Sequence, residues 1–207
     1  AYKVNDGATM TANSDNLYFE GINFVNSYGV EKNNGPQALA LYTNGDRVVL
    51  NKVGLLSYQD TWLTTTKLNN RHYIKDSWIE GAVDFIYGQG NVYLDQDTIN
   101  IVRKSGGYIV APNHGAGTTW GYVFMNNIIT APGNPAETDV WLGRPWHESP
   151  ITVFINTKSY VKIPAAGWYP TMGGLPKLWA EYNTMDGNGN PLDLSHRITD
   201  YYYTDSK

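Results

Sequence analysis

The stretch Tyr73-Ile74-Lys75-Asp76-Ser77-Trp78-Ile79 carries two apolar anchors five residues apart, Ile74 and Ile79, with an aromatic residue before the first. The same short pattern recurs along the chain. First anchors fall at Phe19, Leu50, Ile74, Leu94, Phe124 and Phe154, each preceded by a β-branched or aromatic residue, from Tyr18 to Val153. Second anchors follow at Phe24, Leu55, Ile79, Ile99 and Ile129, and the sixth position is Ser159. Successive first anchors are 31, 24, 20, 30 and 30 residues apart. Short strands at such a quasi-period, with no long helical stripe, are what a solenoid of stacked coils produces. Uneven spacing is compatible with this, because insertions between strands leave the stack as loops. Crossovers between parallel strands are right-handed by default. The fold expected is all-β, a right-handed parallel β-helix in a single domain over residues 1–207. An all-β sandwich shares the short strands and turn signals and is the structural rival. Asn51, Asn126, Asn127 and Asn156 fall one to three residues after an anchor, where their amides are expected to bond neighbouring backbone at a bend.

The repeat also places two carboxylates. Asp60 lies ten residues after Leu50, and Asp84 lies ten residues after Ile74, inside Gly81-Ala82-Val83-Asp84-Phe85-Ile86-Tyr87-Gly88. If those coils stack in register, the two positions are about 4.8 Å apart, the spacing of neighbouring strands. At about 5 Å and an effective dielectric of about 20, two ionised carboxylates repel by on the order of 3 kcal/mol, so one should keep its proton. One residue type then supplies an acid and a nucleophile or base. Exposed loop aspartates are the plainer reading of any Asp pair. The apolar neighbours of Asp84 weigh against that reading, because an ionised group there needs a cationic or hydrogen-bonding partner.

Composition narrows the function classes. The chain has 207 residues, a charged fraction of 16% and an aromatic fraction of 14%, with 7 Trp and 16 Tyr. A narrow solenoid interior cannot hold every ring, and flat aromatic surfaces suit sugars. A net charge of −4 without a basic run argues against nucleic acid. No apolar run is long enough to suggest a membrane span. Zero cysteines exclude disulfides and thiolate chemistry. The histidines His72, His114, His147 and His196 show no ligand spacing, and Asp186-Gly187-Asn188-Gly189-Asn190 reads as a turn rather than a calcium loop. No Gly-x-Ser-x-Gly elbow occurs.

Gln59-Asp60-Thr61, the Gly81–Gly88 segment and Leu142-Gly143-Arg144-Pro145-Trp146, in that order, resemble the pectin methylesterases. Gln37-Ala38-Leu39-Ala40-Leu41 is similar to that family's upstream glutamine strand. The resemblance runs from about Asn16 to about Tyr203. It implies a secreted, cell-wall enzyme that hydrolyses methyl esters of galacturonate in pectin without a metal or cofactor. In that family's terms Asp84 is the nucleophile, Asp60 the general acid and then base, and Gln37 and Gln59 the amides that stabilise the tetrahedral intermediate. Arg144 holds Asp84 ionised. Trp146 contacts the sugar, and Trp168 resembles a ring flanking the cleft. Phe85, also placed at the substrate side, is read as packing beside the nucleophile. The expected partner is methyl-esterified homogalacturonan, with no nucleic acid and no membrane; the motifs do not bear on a proteinaceous inhibitor.

Only about 15 residues precede the segment starting at Asn16, fewer than the family's opening coils require. The expectation is the C-terminal piece of a longer enzyme lacking its first coils, either truncated or cleaved with an N-terminal companion fragment; a genuinely short homologue is the alternative. The stretch after Arg197 resembles the start of a terminal helix. Two other functions stay open: a polygalacturonase-like depolymerase using paired aspartates, and a non-catalytic carbohydrate-binding solenoid.

Overall fold

The protein is described from a computed structural model over residues 7–29 and 36–198. The terminal helix expected after Arg197 lies, but for Ile198, outside these residues. Among the described residues the strands form three parallel sheets of six, seven and seven strands. Each sheet takes one strand per coil, as a solenoid requires and a sandwich does not. Sheet I runs from Met10–Ala12 to Val140–Gly143, sheet II from Leu17–Glu20 to Leu178–Tyr182, and sheet III from Asn23–Val25 to Met185–Asp186.

The anchors stack as their periodicity predicts. Phe19, Leu50, Ile74, Leu94, Phe124 and Phe154 are paired in register along sheet II. Phe24, Leu55, Ile79, Ile99, Ile129 and Ser159 do the same along sheet III. Leu50, Ile74, Leu94, Phe124 and Phe154 are fully buried and form one core with Leu41, Trp62, Ile86 and Val110 from sheet I. Phe124 and Phe154 stack with ring centroids 4.1 Å apart.

The constant interval of five between anchors has a backbone cause. Two residues after each first anchor the chain enters the left-handed region, at Gly21, Lys52, Asp76, Gln96, Asn126 and Asn156 (φ between 49° and 64°). A single such residue turns the strand of sheet II into that of sheet III. Asn and Asp tolerate this conformation better than most residues, which explains their enrichment at the bend. The expected bonding of the asparagines holds for Asn127, whose side chain accepts from Asp97 N and donates to Leu94 O. It fails for Asn126 and Asn156, which point outward and bond one another and Asn183 in a ladder (3.1 and 2.9 Å). Asn51 donates to Tyr18 and Glu20 side chains. At positive φ the amides of Asn126, Asn156 and Asn183 sit above one another on the outside of the bend, each bonding the next.

Candidate active site

The outer face of sheet I is built from two rows of residues. Leu41, Trp62, Ile86 and Val110 are paired neighbours facing the core, so the next residues along, Tyr42, Leu63, Tyr87 and Ala111, face outward. Nearer the strand starts, bridges align Gln37 with Gln59 and Gln59 with Val83, and Val83 pairs with Tyr108. Asp60 and Asp84 directly follow the bridged Gln59 and Val83, and Asp60 N donates to Val83 O (3.0 Å). They are therefore neighbours across adjacent coils.

Both aspartates have left-handed backbone, with φ of 62° at Asp60 and 51° at Asp84. The register along Val83–Gly88 shifts between Val83 and Ile86. This local bulge projects the carboxylate outward while the following Phe85 turns into the core. Gly81 makes room for it: a Cβ there would lie 2.2 Å from that of Phe85. Departures of this kind cost of order 1 kcal/mol each and persist where the surrounding packing imposes them.

The two aspartates are each 4% exposed, yet their carboxyl groups have different partners. Arg144 donates from Nε to Asp84 Oδ1 (2.7 Å) and from Nη2 to Asp84 Oδ2 (2.5 Å), a bidentate pair. Asp60 Oδ2 accepts a single bond from Gln37 Nε2 (2.8 Å). Burial and then the charge of Asp84 push the Asp60 carboxyl up to about 7, against the opposing bond from Gln37. Burial pushes the Asp84 carboxyl up as well, but the bonds and charge of Arg144 pull it back. Asp84 thus ionises first, and its charge then holds the proton on Asp60. Gln37 is exposed and Gln59 half-buried, on adjacent coils. An amide nitrogen carries two protons, so Gln37 keeps one N–H beyond that given to Asp60.

Trp146 is half-buried, edge-on to Tyr87 with centroids 5.7 Å apart, and packs over Leu39, Leu63 and Ala111. Two residues expected to face substrate do not. Trp168 is 0% exposed, stacked on Trp179 at 4.8 Å and tilted against Phe154, because its segment closes the core beyond the coil of Phe154. Phe85 is also 0% exposed, which excludes substrate contact and agrees with the packing reading. Two tyrosines were not anticipated. Tyr87 is buried beside Trp146, with a phenol that has no hydrogen-bond partner, and feels the charges of Asp60 and Asp84. Tyr108 lies under Arg144, its ring centroid 4.1 Å from Cζ. Their signal was available: Tyr87 shares the strand of Asp84, and Tyr108 opens the next copy of the repeat.

Residues 2–204 match the pectinesterase family. The chain belongs to that family. It is 32% identical over 199 residues to the probable pectinesterase A of Aspergillus fumigatus, covering 95% of this chain and 58% of the relative. Pectinesterase A of Emericella nidulans is 35% identical over 195 residues, covering 92% of this chain and 56% of that protein. Among solved structures, the pectin methylesterase of Aspergillus niger matches with a TM-score of 0.82 and 29% identity, over 99% of this chain and 64% of that one. The chain thus spans somewhat under two thirds of each of these three proteins.

Proposed function

We propose that this chain carries the catalytic site of a pectinesterase that hydrolyses galacturonate methyl esters in pectin, secreted to act in the cell wall. The observation that supports this best is the asymmetry of the paired aspartates, one clamped by a guanidinium and the other held by a single amide bond, with its carboxyl pushed up by burial and by its partner's charge. Asp84 attacks the ester carbonyl carbon, and the carbonyl oxygen becomes an oxyanion. Amide N–H groups of Gln37 and Gln59 stabilise that charge more than they stabilise the neutral ester, the differential binding that lowers a barrier. As the tetrahedral intermediate collapses, the C–O bond to methoxide breaks. Asp60 gives its proton to that oxygen, and methanol leaves. The product is an anhydride between Asp84 and the galacturonyl group. Asp60, now ionised, takes a proton from water, whose oxygen attacks the galacturonyl carbonyl and frees both Asp84 and the acid. Trp146 offers its exposed part to a sugar ring.

A depolymerase that inverts at the glycosidic carbon needs its carboxyl groups roughly 6.5–9.5 Å apart to hold a water between them. Asp60 and Asp84 sit on adjacent coils, whose backbones are about 4.8 Å apart, short of that water-holding separation, which favours the esterase over an inverting depolymerase. Incubation with highly methylated pectin tests the choice by measuring methanol, acidification and chain length separately. Methanol and acid without shortening are expected; shortening without methanol would establish the depolymerase instead.

A further inference from the structure

Arg144 does not belong to the coil next to Asp84. Val83 pairs with Tyr108, and Tyr108 pairs with Trp141, so the strand leading to Arg144 is two coils away from the nucleophile. Two strand spacings are about 9–10 Å, a reach that stretches a flexible side chain whose rotamer entropy is about 2 kcal/mol. The intervening coil presents Tyr108, whose ring lies beneath the guanidinium at 4.1 Å. That ring is itself held edge-on against Tyr169 at 5.3 Å, and Tyr169 edge-on against Trp141 at 5.5 Å.

We infer that Tyr108 is a positioning residue for the reaction: its ring carries the Arg144 guanidinium across one coil and keeps its fork in the plane of the Asp84 carboxylate. The inference rests on the reading of Asp84 as nucleophile. A cation on an aromatic face is attracted by the ring quadrupole, and a guanidinium centred over the ring keeps edge N–H groups for the carboxylate, as the two bonds to Asp84 show. The ring, and not the hydroxyl, keeps Asp84 ionised.

The test is a carboxyl-carbon NMR titration of Asp84, assigned by difference with Asp84→Asn, in wild type, Tyr108→Phe and Tyr108→Leu, together with methanol-release kinetics against pH. Tyr108→Phe should keep the wild-type midpoint. Tyr108→Leu, which retains apolar bulk without a ring, should raise it by about half a unit or more. Its kcat should fall by about tenfold with KM little changed, and the acid limb should move with the midpoint. Tyr108→Met replaces the leucine variant if that fails to fold. A wild-type midpoint in the leucine variant, equal displacement by Phe and Leu, or a change in KM alone would overturn the assignment. Wild-type protein that releases no methanol while the midpoints still separate would reject the proposed activity and leave the positioning role standing.

Discussion

Asp60 and Asp84 are one residue type on one local backbone conformation, and their difference lies wholly in what reaches them. Asp84 must be ionised to attack and Asp60 protonated to release methanol, so activity requires the intermediate protonation state of the pair. With the Asp60 carboxyl raised to about 7 by burial and by Asp84, methanol release should fall as pH rises through about 7, where that proton is lost. The acid limb belongs to Asp84. A kcat profile from pH 4 to 9 checks this; an alkaline limb that is unchanged in a Gln37→Leu variant would show that Asp60 does not set it, because losing that bond should move the limb further up. Asp84→Asn should abolish turnover, by a factor of about a thousand or more, with the melting temperature little changed, since the amide is isosteric, carries no charge to desolvate and leaves beside it an Arg144 whose side chain is 20% exposed. Wild-type methanol release from that variant would remove the nucleophile assignment. At this scale the sequence showed both aspartates through their equal offset from Leu50 and Ile74. It misplaced Trp168 because a Gly-Trp pair does not say which face of the coil receives the ring.

The element that repeats is the bend between sheets II and III, and it contains a buried polar ladder. Val53 N donates to Ser77 Oγ (3.0 Å), Ser77 N to Asp97 Oδ1 (2.8 Å) and Asp97 N to Asn127 Oδ1 (2.6 Å). Each bend thus lends a backbone donor to the side chain of the next coil. Asp97 is the one carboxyl in this run; its Oδ2 has no partner, and burial pushes the group up to about 8. Its proton affinity is raised on folding, so the folded state holds more protons than the unfolded one between about pH 4 and pH 8. Stability contributed at this site therefore falls as pH rises across that window. Asn127 shows what an amide does in the same place, accepting from backbone and donating to Leu94 O (3.1 Å). Asp97→Asn should accordingly stabilise the protein by about 1–3 kcal/mol at pH 8 and by close to nothing at pH 4. Urea unfolding at the two pH values measures this, and parallel curves would contradict it. The sequence made the anchors legible, because apolar periodicity survives variable loop length. It revealed one rung, through the amide of Asn127, and missed the others, since Ser77 and Asp97 share with it only a short side-chain acceptor three residues after an anchor.

At the scale of the whole molecule, the core column of sheet II ends on a charge among the described residues. The residue that pairs with Phe154 in the next coil is Glu181, which is 1% exposed. Arg197 folds back to it through Nε (2.5 Å), while its Nη1 bonds Pro164 O and Ala165 O, and Thr184 Oγ1 donates to Glu181 Oε1. Breaking a buried pair leaves an uncompensated charge, so Arg197→Met should destabilise by about 3–5 kcal/mol. The double variant Arg197→Met with Glu181→Leu should recover much of the loss. Denaturant unfolding of the cycle decides it; equal losses in the single and double variants would make the effect one of packing alone. What the sequence by itself determined was the coil: an apolar residue every turn, a five-residue interval across a bend, and two aspartates at one phase. Only the tertiary structure decided which residues from other coils meet them, bringing Arg144 over Tyr108 to Asp84, Gln37 to Asp60 and Arg197 to Glu181. The physical reason is that the repeat specifies position along a coil, whereas loops of unequal length set the separation in sequence between residues that stacking brings together.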